Sequence, residues 1–250
     1  MKVTESRYKN RQLHIEDYLQ MVSAEQKEYA EVFAHQRITE NNDIITDFQT
    51  DNLMEQILHK DNLNKAYKKV KSNKGAGGID GMSVEELLGY LRNNQEQLIQ
   101  KLKDGKYKPN PVRRVEIPKE TKGGFRKLGV PTVVDRVFQQ AITQVLSPIY
   151  EKQFSENSFG FRPDRGAHDA LKQCQTNVND GYVYVVDMDL EKFFDTVCQS
   201  KLIEVLSRTI KDGRVISLIH KYLNAGVISR GIFEKTEVGM PQGGPLSPLL

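Results

Sequence analysis

Residues 184–195, YVVDMDLEKFFD, determine how the rest of the chain is interpreted. An apolar, β-branched run leads into Asp187 and Asp189, and a pair of phenylalanines and Asp195 follow. The run GYVYVVDMD, residues 181–189, predicts a central strand that is hydrophobic on both faces. Because an unpaired buried carboxylate is costly, aspartates at the end of such a strand need a cation, water or a helix N-terminus.

Two interpretations of these aspartates are open. Mg²⁺ prefers oxygen ligands, usually one or two carboxylates together with substrate phosphates. Alternatively, the aspartates cap a helix that begins near Glu191. Strand alternation places Asp187 and Asp189 on one face, so spacing alone favours neither interpretation and does not separate the two residues.

The composition indicates a globular protein with no membrane segment. The chain has 250 residues, of which 38% are hydrophobic, enough for a sizeable core. Its apolar runs are far shorter than the roughly 20 residues that cross a bilayer, and the N-terminus lacks the apolar centre of a signal peptide. Cys174 and Cys198 have neither CxxC spacing nor histidine partners, so we expect reduced thiols in a cytoplasmic protein.

Charge is unevenly distributed along the chain. The net charge is only +3, but residues 101–127 contain ten Lys/Arg and three Asp/Glu, a balance of +7. Residues 1–60 contain seven Lys/Arg and eleven Asp/Glu, a balance of −4. The basic segment is either a solvated surface or a track for a polyanion.

The hydrophobic pattern predicts an α+β fold, because helices and strands mix without regular βαβ alternation. A helical pattern runs from Asp51 to Val70, and a capping box of Ser83 and Glu86 opens a helix to about Leu102. VRRVEIP and FRKLGVP predict a hairpin. Further predicted elements are a helix from residue 132 closed by Pro148, helices at 166–177, 199–209 and 213–224, and a hairpin around residues 230–231.

Two other segments carry candidate binding residues. SFGFRPDRGAHDAL, residues 158–171, interleaves aromatics with Arg162 and Arg165, which predicts either nucleic-acid contact or a turn in which Arg162 holds a carboxylate. GMPQGGPLSPLL, residues 239–250, is too rich in glycine and proline for a regular element. It is either a rigid connector or a loop that a ligand approaches, with Gln242 as the polar contact.

Taken in order, five segments resemble the reverse transcriptase domain of bacterial group II intron-encoded proteins, the maturases, over residues 51–250. The resemblance implies the fingers and partial palm of a right-hand polymerase, with a mainly antiparallel sheet. It divides the chain into an N-terminal extension (1–50), fingers (51–139), first palm part (140–197), and fingers return with the start of a second palm segment (198–250). The segments are NKGAGGIDGMS, RKLGVPTVVDRVFQQAI, FSENSFGFRPDRGAHDAL, VVDMDLEKFFDTV and MPQGGPLSPLL.

The resemblance also separates the two aspartates. In such polymerases the metal-binding aspartate lies five residues before an aromatic that packs beneath the nucleotide sugar. Asp189 and Phe194 have this spacing, whereas Asp187 would require Lys192 in the aromatic position. Asp189 is thereby implied as the catalytic metal ligand, helped by the Leu190 carbonyl, and Phe194 as the gate against ribonucleotides.

Further roles follow from the same resemblance. Lys119 and Arg126 would bind the triphosphate from the two strands of the hairpin, and Gln242 would contact the nucleotide from the opposite side. Asp195 would cap a helix or form a local ion pair. The residues expected to contact nucleic acid are Lys74, Arg113, Arg114, Arg162 and Arg165.

The implied cofactor is Mg²⁺ in a two-metal site that this chain houses only in part. The implied partners are an intron RNA template, a DNA or RNA primer and a deoxynucleoside triphosphate. Because no Tyr-Ala-Asp-Asp block is present, we expect these 250 residues alone not to polymerise, and apolar surface left by an unfinished palm would suit a homodimer. The alternatives are a non-catalytic module that binds intron RNA, a retron-type or diversity-generating reverse transcriptase, and a viral RNA-dependent RNA polymerase.

Overall fold

The computed structural model describes residues 50–118 and 124–250, and in these ranges it contains eight helices and four strands. The helices are α1 (Leu53–Ile57), α2 (Lys60–Ser72), α3 (Leu87–Lys103), α4 (Val133–Glu151), α5 (Ala167–Asn179), α6 (Phe193–Thr196), α7 (Gln199–Thr209) and α8 (Gly213–Leu223). The strands are β1 (Val112–Pro118), β2 (Phe125–Val130), β3 (Val227–Ser229) and β4 (Ile232–Glu234).

The four strands form one sheet in the order β2-β1-β3-β4. β1 pairs antiparallel with β2 and parallel with β3, and β3 pairs antiparallel with β4. The predicted α+β class and mainly antiparallel sheet are therefore confirmed, as are both hairpins. The β3–β4 turn has φ of +50° at Arg230 and +81° at Gly231, the two positive values that a tight two-residue hairpin requires.

The core lies where α2 packs on α4. The residues of α2 that recur at three- to four-residue spacing are buried there: Leu63, Ala66, Tyr67 and Val70. The N-terminus of α4 is fixed by a buried carboxylate, Asp135, which accepts hydrogen bonds from the Tyr107 hydroxyl (2.7 Å), the Thr132 hydroxyl (2.7 Å) and the Asn110 backbone N–H (3.1 Å). Burial raises the pKa of Asp135 against the opposing effect of these bonds. The residues just before β1 are thus tied to α4.

Three helix boundaries differ from the predicted ones. The reciprocal hydrogen bonds of Ser83 and Glu86 form, but α3 begins only at Leu87. The pattern from Asp51 to Val70 is divided at His59, whose extended backbone (ψ of 136°) and ring nitrogen cap α2. Pro148 lies inside α4 instead of closing it, and the helix continues to Glu151. Proline removes one helical hydrogen bond, but Ile149 and Tyr150 beyond it are buried, and their packing favours continuation.

The predicted central strand at residues 181–189 is wrong. Residues 182–190 pair with no strand in the described part of the chain and are exposed, with Tyr184 at 94% and Met188 at 87%. A strand is stabilised by its paired neighbours and by packing of its side chains, and none of the described elements covers this segment. In addition, no helix in the described ranges combines the length and the apolar character needed to cross a bilayer.

Candidate active-site cleft

A cleft of about 860 Å³ collects five of the predicted site residues. Arg126 comes from β2, Asp189 from the segment before α6, Phe194 from α6 itself, and Gln242 from the loop after β4. Arg114 of β1 lines the same cleft. The volume lies within the range of about 300–1,000 Å³ that is typical of small-molecule sites.

One wall of the cleft is formed by close backbone contact between the loop after β4 and α6. The Gly239 N–H donates to the Val197 carbonyl (2.8 Å), and the Met240 N–H donates to the Phe194 carbonyl (2.7 Å). Gly239 has φ of +77°, and a Cβ at this position would lie 2.7 Å from the Asp195 carbonyl oxygen. Only glycine fits both the conformation and the space.

The same loop contacts β2 on its other side. The Gly129 N–H donates to the Gln242 carbonyl (2.6 Å), and a Cβ on Gly243, where φ is +115°, would lie 2.7 Å from the Gly129 carbonyl oxygen. The loop is therefore both a tightly packed connector and part of the cleft wall, so it combines the two interpretations that the sequence left open. It holds Gln242 between α6 and β2.

Gln199 binds the loop after β4 through its side chain, and this role was not identified from the sequence. Its buried side-chain amide donates to the carbonyls of Gly239 (2.8 Å) and Leu223 (3.2 Å). The loop, α7 and the end of α8 therefore share one hydrogen-bonding residue. A single glutamine at the start of a predicted helix has no spacing signal that would have found it.

The three aspartates of the opening stretch occupy different positions. Asp189 and Asp195 line the cleft, whereas Asp187 is not among the lining residues. Neither Asp187 nor Asp189 caps a helix, because α6 begins at Phe193 and its N-cap is Lys192, with φ of +51° and no side-chain capping bond. The helix-cap interpretation is therefore wrong, and the catalytic role of Asp189 stays a prediction. Phe194 is half-buried, with its ring edge-to-face on that of Phe193 at 5.8 Å.

The cleft fits a divalent cation only in part. Within residues 50–118 and 124–250, no three His, Cys, Asp or Glu side chains come together as a metal site. The Glu234 carboxylate in the cleft is engaged by Arg114 at 2.7 Å. Asp189 remains as the predicted carboxylate ligand, which suits a Mg²⁺ ion that arrives with substrate phosphates but cannot by itself hold two ions.

The predicted nucleic-acid contacts near β1 have different surroundings. Arg113 donates through Nε and Nη2 to the Gly77 carbonyl (3.2 and 2.8 Å) and so holds the glycine-rich loop at residues 75–78. Arg136, which was not singled out from the sequence, donates to the Ala76 carbonyl of the same loop (2.5 Å), and burial lowers its pKa. Lys74 is exposed beside them, with φ of +46°. Lys119 lies outside the described residues.

Arg162 organises the turn between α4 and α5. Its guanidinium is buried and donates to the Glu151 carboxylate (2.6 Å) and to the carbonyls of Ser158 (3.0 Å) and Ser155. The hydrogen bond from Arg162 to the Glu151 carboxylate lowers the pKa of Glu151. The structure thus shows the turn that was the alternative interpretation of Arg162. Arg165 donates to the Glu156 carbonyl and lies over the Phe159 ring at 5.8 Å. Nucleic-acid contact by these two arginines stays a prediction.

The chain is similar in sequence to a known protein family and to several curated relatives. A family model described as reverse transcriptase (RNA-dependent DNA polymerase) matches residues 117–250. The Group II intron-encoded protein LtrA of Lactococcus lactis subsp. cremoris is 38% identical over 215 residues, which are 86% of this chain and 36% of that protein. Protein YkfC of Escherichia coli (strain K12) is 37% identical over 204 residues, 79% of this chain and 53% of that protein. The chain therefore spans about a third of the length of one relative and about half of the other.

A solved structure shows the same fold. The partial Cas6-RT-Cas1–Cas2 complex contains a chain that superposes with a TM-score of 0.52 and 24% identity, over 86% of this chain and 35% of that one. At this identity the likeness concerns the fold alone.

Proposed function

The chain belongs to the reverse transcriptase family, among the group II intron-encoded proteins, and on that basis we propose that its cleft binds the incoming deoxynucleoside triphosphate of an RNA-directed DNA polymerase. The template would be intron RNA, the primer a DNA or RNA strand, and the setting the cytoplasm. The observation that carries the proposal is the convergence of Arg126, Asp189, Phe194 and Gln242, from separate parts of the chain, on one cleft.

Each lining residue has a chemical task in this proposal. The Arg126 guanidinium would pair with the triphosphate and neutralise negative charge that grows on the phosphates during transfer. Gln242, fixed between α6 and β2, would contact the nucleotide from the facing wall. The Phe194 backbone carbonyl accepts a hydrogen bond from the Met240 N–H. The Phe194 ring would pack beneath the sugar and leave no room for a 2′-hydroxyl group.

Reverse transcriptases as a family use divalent metal ions, and we propose Mg²⁺ for this cleft. When bound, such an ion activates the primer hydroxyl and stabilises the leaving pyrophosphate. The Asp189 carboxylate would hold the ion against the triphosphate. Because no cluster of three metal-binding side chains forms among the described residues, we propose that further carboxylates of a two-metal site come from outside these residues.

The basic segment at residues 101–127 favours a second candidate, in which the chain binds intron RNA and assists splicing without chemistry of its own. The two candidates differ in a simple property. A catalytic cleft must bind deoxynucleoside triphosphate with Mg²⁺, whereas an RNA-binding module has no need to do so.

The test is titration of the 250-residue chain with dTTP and Mg²⁺ by calorimetry or fluorescence. We expect saturable binding that falls when EDTA removes Mg²⁺. Arg126→Ala should weaken binding by about tenfold or more, because a charge-assisted contact to phosphate is lost. The matched control is Arg208→Ala, which removes an exposed arginine paired with Glu204 on α7, outside the cleft lining. Undetectable dTTP binding, or equal binding by the Arg126 and Arg208 variants, would refute the nucleotide site.

A further inference from the structure

An ion pair crosses the sheet on the face that lines the cleft. Arg114 of β1 and Glu234 of β4 are separated by β3, yet Nη1 of Arg114 and Oε2 of Glu234 lie 2.7 Å apart. Both residues line the cleft, and their side chains keep 25% and 49% of their exposure. The pair is therefore within reach of a ligand.

The strand register explains how two distant strands share this contact. Val112 pairs with Val227 across β1 and β3, and Val227 pairs with Glu234 across β3 and β4. Arg114 is two residues from Val112 and so lies on the same face. Its partner on β2 is Gly129, which has no side chain to engage the guanidinium. Glu234 is thus the carboxylate that faces Arg114 across the sheet.

The cleft otherwise favours anions. Its lining contains five Lys/Arg and three Asp/Glu residues. A carboxylate and a phosphate bind the same donor fork of an arginine, so they compete for it. Because a half-exposed ion pair contributes little free energy, an incoming phosphate can displace the carboxylate at small cost.

We propose that the Glu234 carboxylate binds the Arg114 guanidinium while the cleft is empty, and that a ligand phosphate replaces this carboxylate when the cleft fills. Through this exchange, Glu234 sets how strongly the cleft binds phosphate-bearing ligands. The inference rests on the proposed function, because it requires a nucleotide or a nucleic-acid strand in this cleft. The phosphate belongs either to the triphosphate or to the backbone of an RNA strand. Glu234 would thereby raise the selectivity of the cleft for ligands with a phosphate over ligands without one. A ligand without a phosphate cannot replace the Glu234 carboxylate, so it gains no contact with Arg114.

The first test compares Glu234→Gln with Glu116→Gln. Both changes remove one negative charge from the same sheet, but Glu116 pairs with Arg230 at 3.7 Å and does not line the cleft. We expect Glu234→Gln to tighten binding by about two- to fivefold, the range for release of a partly exposed ion pair, and Glu116→Gln to leave it unchanged. Binding would be measured separately for dTTP with Mg²⁺ and for a short single-stranded RNA. The ligand whose binding tightens identifies the source of the phosphate.

The second test asks whether the effect passes through Arg114. Arg114→Ala should weaken binding of the responding ligand and, for RNA, lower the salt slope of log K by about one, as loss of one phosphate contact requires. In the Arg114→Ala background, Glu234→Gln should have no further effect. If Glu234→Gln tightens binding equally in the Arg114→Ala background, the effect is general charge repulsion and the inference is overturned. An unchanged affinity of Glu234→Gln for both ligands would also overturn it.

The Arg126 variant separates this inference from the proposed function. If Arg126→Ala weakens dTTP binding while Glu234→Gln changes nothing, the nucleotide site stands and the exchange fails. If the unsubstituted chain does not bind dTTP, the nucleotide site fails, and the exchange is then decided by the RNA measurement alone. If the chain binds neither ligand, both the nucleotide site and the exchange fail.

Discussion

At the scale of the residue, close backbone approach is the property that the cleft wall depends on most. Gly239 combines a positive φ with a Cβ position 2.7 Å from the Asp195 carbonyl oxygen. Gly81 has a similar φ, +71°, but nothing within 4 Å of its Cβ position. The two glycines therefore separate the cost of the backbone conformation from the cost of the contact.

We predict that Gly81→Ala lowers the free energy of unfolding by about 1 kcal/mol, the cost of a left-handed alanine. Gly239→Ala should cost about 1–3 kcal/mol more, because the added methyl group must displace packed backbone, and it should also weaken dTTP binding by shifting α6. Urea denaturation of the two variants measures the difference. Equal losses of stability would mean that the contact at Gly239 relaxes freely.

At the scale of the element, the turn between α4 and α5 is held by the buried Arg162 guanidinium and the Glu151 carboxylate. The hydrogen bonds from Arg162 lower the pKa of Glu151 from the ordinary value of 4.5. A carboxyl group whose pKa is lower in the folded state adds stability above its unfolded pKa, and this stability is lost as pH falls through the folded pKa.

We therefore predict that Glu151→Gln destabilises the protein at neutral pH and that the difference from the unsubstituted chain shrinks below about pH 4.5. Urea midpoints measured at pH 7 and pH 3 check this. Glu156→Gln, an exposed change in the same turn, serves as the control and should give a small difference at both pH values. A Glu151→Gln effect that is independent of pH would contradict the ion pair.

At the scale of the whole molecule, α1 is attached to α8 by an ionic clasp. The buried Asp212 carboxylate accepts from the Met54 N–H (2.9 Å) and caps α8 through the Arg214 N–H (3.0 Å). Arg214 in turn donates to both oxygens of Glu55 at 2.7 Å. Residues early and late in the described chain are thereby joined.

We predict that Asp212→Ala lowers the free energy of unfolding by about 2–4 kcal/mol, because a helix cap is lost and a buried N–H is left without an acceptor. Hydrogen exchange should show α1 losing protection before the α2–α4 core. Asp51→Ala, an exposed neighbour, is the control and should change stability little. An unchanged exchange rate at Met54 in Asp212→Ala would contradict the role of the clasp.

The sequence predicted the features that depend on local signals. The β1–β2 hairpin, the capping box of Ser83 and Glu86, and the turn at residues 230–231 all follow from short-range patterns and are present. The strand at residues 181–189 was predicted from apolar character alone, and strands depend on partners that a local pattern does not reveal. Similarly, the contacts of Gln199 and Asp212 join residues far apart along the chain, so no spacing could indicate them.

The clasp between α1 and α8 also has a consequence for the time at which the fold can form. Five residues of helix are too few to be stable alone, so α1 depends on tertiary contacts, one of which is the hydrogen bond from Met54 to Asp212, 158 residues later. At a synthesis rate of about 5–20 residues per second, α1 would leave the ribosome about 8–30 s before Asp212 does. During that interval the Met54 N–H has no Asp212 acceptor, so α1 gains its full set of native contacts only after residue 212 has left the ribosome.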